Sequence, residues 1–533
     1  MKAMIENSIL NRFPSAMELG YLHSGTKRIW EAFCEARDPA DRSGYQRVLK
    51  KIQQLLWMLG EFWETSISAR LITASGRLPN NVARNSLIVS QIRRIPFHRW
   101  FLMLFALYLP IEYALRDVLG LTAIASIWEE LLIAAGVLLV LRRGMRVGNN
   151  SFARGNMLEA SILLFMAIGL LLMMLNRPFP AVALAGYRAQ VQYMVWFFLI
   201  LRLLEDRKDA AALYGAFAMT VLLLSFHGIY QYIVGVEIPA SWVSQTEMGV
   251  RTRVFSLTGS PNVFGSLIVM AAPMLAAMMY YCKATKWKIA SFFAVGAACL
   301  CILFTFSRGA WVGLIVAVIL FALYVDKRLL LLMTTAMAGI LIAVPSITSR
   351  LTYLFTTDYV EASAIGGRAL RWQVGRDLLM ENSPWIGFGL GRFGGAVAMN
   401  NQLLDETETF QYFYMDNYYL KTLVEMGYVG LIFFLLVIAV FLVSGMKAIH
   451  RSGTGYSIRK GQDALIRNIG NPKLLTVGIF SGLAGVLTHC FFENIFEEPY
   501  MMAYFWGLAA LMAFLGFYAK GSSASTGAHR GAS

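Results

Sequence analysis

Apolar residues along this chain do not alternate with polar ones; they come in long runs. From about residue 100 onward, runs of the length needed to cross a hydrocarbon core recur between short polar breaks; such a crossing takes roughly 20 mostly apolar residues. Leu329 to Met333 and Gly430 to Val440 show no period of two, so a membrane barrel, whose strands must alternate, is excluded. The pattern predicts an all-α polytopic membrane protein with about twelve transmembrane helices. They are expected at about 100–116, 118–141, 158–175, 188–204, 210–234, 262–282, 288–306, 309–325, 329–345, 418–445, 474–490 and 499–518.

Residues 1–97 contain no full span. A short pattern recurs within them: Asn7-Ser8-Ile9 before Arg12-Phe13, Thr65-Ser66-Ile67 before Arg70-Leu71, and a partial copy at Asn85-Ser86-Leu87. Serine caps helix starts, and basic amphipathic helices lie along a leaflet surface. The segment is therefore expected to form amphipathic helices on the cytoplasmic side. Residues 519–533 read as a disordered tail.

Charge orients this map. The 47 Lys and Arg exceed the 32 Asp and Glu to give a net charge of +15, yet only 15% of residues are charged. Soluble chains carry about 25%. A basic excess in such an apolar chain belongs to cytoplasmic loops near anionic headgroups, and nucleic-acid binding is the weaker reading. Most of the basic residues fall where even-numbered boundaries put them on one side. This predicts an even span count, with both termini cytoplasmic in a bacterial membrane. The five cysteines suggest no disulfide framework. The first residues, polar and mixed in charge, predict no cleavable leader.

Eight arginines nevertheless fall on the side that should be poor in them: Arg251, Arg253, Arg308, Arg350, Arg368, Arg371, Arg376 and Arg392. A solvated loop surface suits Arg350 and Arg376. For the others an anion site is the sharper reading, because guanidinium presents a planar fork of donors. The largest outer segment, about 346–417, is long for a plain connection. Within it, 368–381 reads as a helix with Leu370, Val374 and Leu378 at helical spacing, ended by Asn382-Ser383-Pro384. Gly387, Gly389 and Gly391 follow with no strand before them, so close backbone packing explains them better than a dinucleotide fingerprint.

Four stretches carry the candidate chemistry. They are Arg253 to Asn262 (RVFSLTGSPN), Thr305 to Trp311 (TFSRGAW), Gly367-Arg368 with Trp372 leading to Pro384-Trp385-Ile386-Gly387-Phe388-Gly389, and Asp416-Asn417 separated by nine residues from Gly427-Tyr428-Val429-Gly430. His489, Phe491-Phe492-Glu493-Asn494 and Pro499 come after them. Taken in order from about 250 to 515, around a large outer loop, they resemble the O-antigen ligase and O-antigen polymerase family of bacterial envelope enzymes.

The resemblance implies that 98–518 is a transmembrane glycosyltransferase domain. It would move a glycan from an undecaprenyl-diphosphate lipid to an acceptor on the outer face of the cytoplasmic membrane, with no metal and no cofactor. The residues agree independently: a departing diphosphate needs its developing charge stabilised, and positioned arginines can do this. Arg308, Arg368, Arg371 and Arg253 are the candidates for donor binding, with Asn262, Trp372 and Asn417 in support. The ligase branch carries a His where this chain has Asp416. A carboxylate there could serve as general base, or it could cap the following helix. His489 is the other candidate base. It lies four residues before Glu493, so the two would share a helical face. His227, in the fifth span, is a weaker candidate. Glu129 and Glu130, expected mid-span, must face protein or water rather than lipid, where a basic group of the bundle could pair with them; no role is assigned to them.

The reading favoured over ligase is a polymerase of lipid-linked repeat units, resting on Asp416 and the N-terminal segment. A flippase and a chain-length regulator would be its partners. A lipid-linked glycan transporter is the rival from another class, but it should show internal repeats and charged mid-span positions, and no half-to-half repeat is visible.

Overall fold

The computed structural model describes residues 25–36, 38–65, 95–237, 252–357, 360–361, 367–403, 413–453 and 470–519. Among them the chain is helical throughout, with no strand. The helices that matter below are α1 (Gly25–Glu35), α2 (Gly44–Thr65), α3 (Phe97–Ala106), α4 (Trp128–Gly144), α5 (Met157–Leu175), α6 (Pro180–Val191), α7 (Val195–Leu203) and α8 (Arg207–Val234). The second half adds α9 (Pro261–Tyr281), α10 (Thr285–Phe304), α11 (Arg308–Tyr324), α12 (Arg328–Ala343), α13 (Arg368–Glu381), α14 (Ala396–Asn401), α15 (Tyr418–Ser452), α16 (Pro472–His489) and α17 (Pro499–Phe517). Six are long and apolar enough to cross a membrane: α5, α8, α9, α10, α15 and α17. Helices α11 and α12 are apolar but shorter.

Three stretches read as single spans are broken. Residues 100–116 divide at Leu107 and pass into a π-turn at Ala114–Val118. Residues 118–141 divide into a short helix, Thr122–Ala125, and α4, so Glu129 and Glu130 lie in the first turn of α4 rather than mid-helix. Residues 188–204 divide at a 3-10 turn, Gln192–Met194. Glu130 pairs with Arg188 at 2.6 Å, and Glu129 accepts from the Tyr193 hydroxyl. The repeat residues at 7–13, 66–71 and 85–87, Arg251, and the tail from 520 all lie outside the described residues.

The core of the bundle is α9 and α16. Helix α16 carries Gly478, Gly482 and Gly485, and a methyl group at any of them would strike a neighbour. The atoms met are Pro273 O at 3.0 Å from Gly478, the Met270 carbonyl from Gly482, and Gly313 O at 2.6 Å from Gly485. Small residues let helix backbones approach closely where hydrophobic association cannot drive packing. Helix α16 is thereby wedged between α9 and α11, and this fixes where His489, its last residue, arrives.

The two ends of the bundle differ. At one end α2 is bound by side chains. Gln53 donates to Gly144 O at 2.8 Å, Trp57 to Asn149 O at 3.2 Å and Gln46 to Ala153 O at 2.7 Å. Arg451 reaches Cys34 O (3.1 Å), Arg154 donates to Leu201 O at 3.1 Å, and Tyr518 donates to Gly155 O at 3.0 Å. Arg143 pairs there with Glu205. At the opposite end meet the start of α9, the α10–α11 turn, the loop holding α13 and α14, the start of α15, and the α16–α17 connection.

The long loop has a small core of its own. Phe388, Phe393, Met415 and Val424 are buried together, with Trp372, Leu378 and Leu420 packed on them. Helix α13 matches the expected 368–381. Phe388 N donates to Val424 O at 2.7 Å, and Tyr428 N to Pro384 O at 2.8 Å. The loop backbone therefore runs against α15 where that helix is interrupted at Gly427 (φ 67°, ψ −172°). A methyl group at Gly387 would lie 2.5 Å from Gly427 N. Close backbone packing is what the loop glycines provide, as read from the sequence.

Candidate functional site

The α10–α11 turn brings Arg308 to the site. Phe306 adopts φ 51°, and Ser307 accepts from Ala310 N at 3.4 Å to cap α11. Arg308, half-buried, opens the helix. Gly309 packs directly on α16: a methyl group there would lie 2.8 Å from His489 Nε2 and 2.8 Å from Phe492 Cβ. His489 is buried, and its Nδ1 lies 2.5 Å from Ser266 Oγ of α9.

The first stretch arrives from α8. Ser256, at φ 50°, is held by Gln231, whose Oε1 accepts from Ser256 N at 2.7 Å. Backbone held in this sparsely populated region clusters at functional sites, and here two such residues, Ser256 and Phe306, lie on segments joined by Val254 N donating to Phe304 O at 3.1 Å. Arg253 is buried. It donates to Thr305 O at 3.0 Å and to Asn262 Oδ1 at 3.1 Å. Asn262 in turn donates to the Glu493 carboxylate.

Helix α13 supplies the other half. Arg368 Nε donates to Asp416 Oδ2 at 2.7 Å, and its Nη2 to Phe492 O at 2.7 Å. Trp372 Nε1, one turn on, donates to Asp416 Oδ1 at 3.2 Å. Both Asp416 oxygens are thus engaged. Asp416 does not cap α15; its neighbour does, with Asn417 Oδ1 accepting from Leu420 N at 3.0 Å. Arg371 lies over the Phe413 ring at 5.6 Å instead of on Asp416.

The geometry therefore brings Arg253, Asn262, Arg308, Arg368, Trp372, Asp416 and His489 to one end of the bundle, linked through Phe492 and Glu493. His227 is attached to its margin, with Nδ1 3.1 Å from Ser256 Oγ. Residues 293–435 match the family model described as O-antigen ligase. That segment is similar to an O-antigen ligase domain. The matched segment contains Arg308, Arg368, Trp372, Asp416 and Asn417. It leaves out Arg253, Asn262 and His489, which the fold brings to the same place. No curated protein matches the chain.

Glu493 was expected on a helical face shared with His489, but α16 ends at His489 and Glu493 lies in the connection after it; the Lys421 cluster below carried no expectation from the sequence. Glu493 is half-buried in the Asn262 cluster. Burial raises its pKa, Arg368 pulls it down, and Asp416 raises it again. Beneath the site, Lys421 bridges Glu425 at 3.0 Å and Glu497 at 3.3 Å, and both Lys421 and Glu425 are buried. Glu425 accepts from Phe393 N and Glu497 from Ala396 N, so this triad ties the loop to α15 and to the α16–α17 connection. An i, i+4 Lys–Glu pair inside an apolar run is its sequence signal.

His98, Glu205 and Asp209 stand within 4.8 Å of one another. They sit at the far end of α8, about 30 Å from Gln231 at a rise of 1.5 Å per residue. Asp209 is already occupied there by Arg99 and by the Glu205 N–H.

Proposed function

We propose that the protein is a glycosyltransferase that extends lipid-linked oligosaccharides on the outer face of a bacterial cytoplasmic membrane, as a polymerase of repeat units. The observation that carries the reading is the meeting of Arg253, Arg308 and Arg368 from three separate elements at one end of the bundle. Three guanidinium groups at a bundle end suit a diphosphate at headgroup depth, where charge develops as the glycosyl bond breaks. The donor is an undecaprenyl-diphosphate-linked glycan, and Arg371 lies along its path.

Orientation follows from charge. The end that holds α1, α2, Arg143, Arg154 and Arg451 is taken as cytoplasmic, by the excess of basic residues expected there. The arginine cluster then faces outward. The full count of about twelve spans, with both termini inside, belongs to this same reading, and so do a flippase that delivers the donor and a chain-length regulator.

Glycan length in a deletion strain tests the assignment. The strain would be complemented with wild type, Arg308→Ala, Arg368→Ala or Asp416→Ala at matched membrane levels. A polymerase leaves single repeat units in the deletion, and the three variants fail to restore long chains. Long chains held on the carrier lipid and never attached to a final acceptor indicate a ligase. Glycan trapped on the inner leaflet indicates a transporter and overturns the assignment.

A further inference from the structure

We infer that Glu493 is the general base that activates the acceptor hydroxyl, with Asp416 serving to position Arg368. The inference rests on the glycosyltransferase reading and adds a residue that the family-matched segment, 293–435, does not contain.

The argument begins with what the three candidate groups are already doing. Asp416 accepts from Arg368 Nε at 2.7 Å and from Trp372 Nε1 at 3.2 Å, one bond on each oxygen. A carboxylate neutralised by a guanidinium is a weak base, and moving a proton onto it would release the arginine that the leaving group needs. His489 is buried, with Nδ1 against Ser266 Oγ and Nε2 against the backbone of Gly309. An acceptor sugar has no room between Nε2 and that backbone.

Glu493 differs in both respects. Its Oε2 accepts from Asn262 Nδ2, an amide and not a cation. Asn262 is turned the right way by Arg253, which donates to its Oδ1 at 3.1 Å. The residue before it, Phe492, gives its carbonyl to Arg368 Nη2 at 2.7 Å. Glu493 therefore sits beside the guanidinium assigned to the diphosphate, in a half-buried position. The charged and titratable groups around it are Arg368 from α13, Asp416 before α15, His489 at the end of α16, Arg253 through Asn262, Arg308 at the start of α11 and Glu498 before α17. Burial and Asp416 push its proton affinity up, while Arg368 and Asn262 hold it down. A base is best when its pKa approaches the working pH.

The step balances without a further reactant. Glu493 takes the proton from the acceptor hydroxyl, and that oxygen forms a bond to the donor anomeric carbon. The bond from that carbon to the diphosphate oxygen breaks, and its electron pair leaves with the lipid diphosphate held by the arginines. The proton on Glu493 then passes to solvent.

The test uses full-length protein in liposomes with lipid-diphosphate-linked oligosaccharide purified from the deletion strain, following chain extension against pH. Turnover by wild type secures the underlying reading; the variants address Glu493 alone. Glu493→Gln should lower kcat by roughly 100-fold or more, the usual scale of general-base catalysis, with KM for the donor within a few-fold. Glu493→Asp should retain part of the rate. Asn262→Ala, by removing a bond that favours the charged carboxylate, should move the acidic limb of the profile to higher pH. Asp416→Asn should raise KM and, by removing a charge that raises the proton affinity of Glu493, move that limb to lower pH, opposite to Asn262→Ala. Wild-type kcat in Glu493→Gln, or an acidic limb that Asp416→Asn abolishes and Asn262→Ala does not move, overturns the inference. If Glu493→Gln fails to assemble, Glu493→Asp decides: full activity with an unmoved limb contradicts the assignment, and a reduced rate with a moved limb supports it.

Discussion

Asp416 and Asn417 are neighbours with separate duties. Asn417 closes the first turn of α15, and Asp416 turns away to hold Arg368 and Trp372. The sequence left base and cap open for Asp416 because both readings need only an acidic residue before a helix; the choice depends on Arg368, 48 positions away. Arg368 contacts Asp416 and Phe492 through two different nitrogens, a geometry a lysine cannot reproduce. Arg368→Lys should therefore lose at least tenfold in chain extension while the protein still purifies as a folded species, measured by repeat-unit incorporation and size-exclusion profile. The Lys421 triad carries a structural prediction. Removing Lys421 would strand Glu425 and Glu497, and breaking a buried pair costs about 3–5 kcal/mol. Lys421→Met should lower the unfolding temperature in detergent far more than Arg376→Ala, whose own side chain is exposed. Glu498, just before α17, has its pKa raised to about 7, first by burial and then by Glu497, Glu112, Glu493 and Glu129. A carboxyl group whose folded pKa lies above its unfolded value stabilises the fold fully below the unfolded pKa, and that contribution is lost as pH rises through 7. Thermal stability should decline between pH 5 and 8 in wild type, and the decline should be smaller in Glu498→Gln.

Among the elements, legibility tracked length and uniformity. Helices α5, α8, α9, α10, α15 and α17 stand where their apolar runs put them, and α13 was visible from Leu370, Val374 and Leu378. The first, second and fourth expected spans broke because hydropathy averages over a window and does not register interrupted hydrogen bonding at Leu107, Ala114–Val118 or Gln192–Met194. The N-terminal helices had no span signal at all, yet α2 has three distinct faces. Leu49, Gln53, Leu56 and Gly60 meet the protein. Val48, Ile52, Leu55, Leu59 and Phe62 form a separate exposed apolar stripe, and Arg47, Lys50, Gln54 and Glu61 occupy the rest. An interfacial helix beside the end of α4 needs this distribution. Probes on single cysteines in nanodiscs should find Leu55 and Phe62 shielded from aqueous quencher and Gln54 and Glu61 open to it; equal quenching on both faces contradicts membrane contact. Substituting Gly60, which abuts the Met145 carbonyl, with leucine should release α2 and make it a protease-sensitive segment.

At the scale of the whole molecule, the bundle keeps its two ends chemically apart. One end gathers α1, α2, Arg143, Arg154 and Arg451. The other gathers the arginines of the site, Asp416, Glu493 and His489. Motif order makes this second cluster legible along the chain, because each motif sits at a helix start or in a turn. The pairing of Asn262 with Glu493, 231 positions apart, was not legible, since only the wedging of α16 beside α9 creates it. The polarity of the bundle predicts that a cysteine-reactive, membrane-impermeant label added to intact cells reacts at Arg371→Cys and not at Lys50→Cys.

On the proposed function, this bundle end transfers glycans from a lipid diphosphate without a nucleotide sugar. The most direct measurement is purified protein in liposomes containing only lipid-diphosphate-linked oligosaccharide, followed by product length and released lipid diphosphate. Longer chains are expected, with one lipid diphosphate released for each unit added, both abolished by Arg308→Ala. Movement of unmodified lipid-linked glycan between leaflets, with no new glycosidic bond, would contradict it.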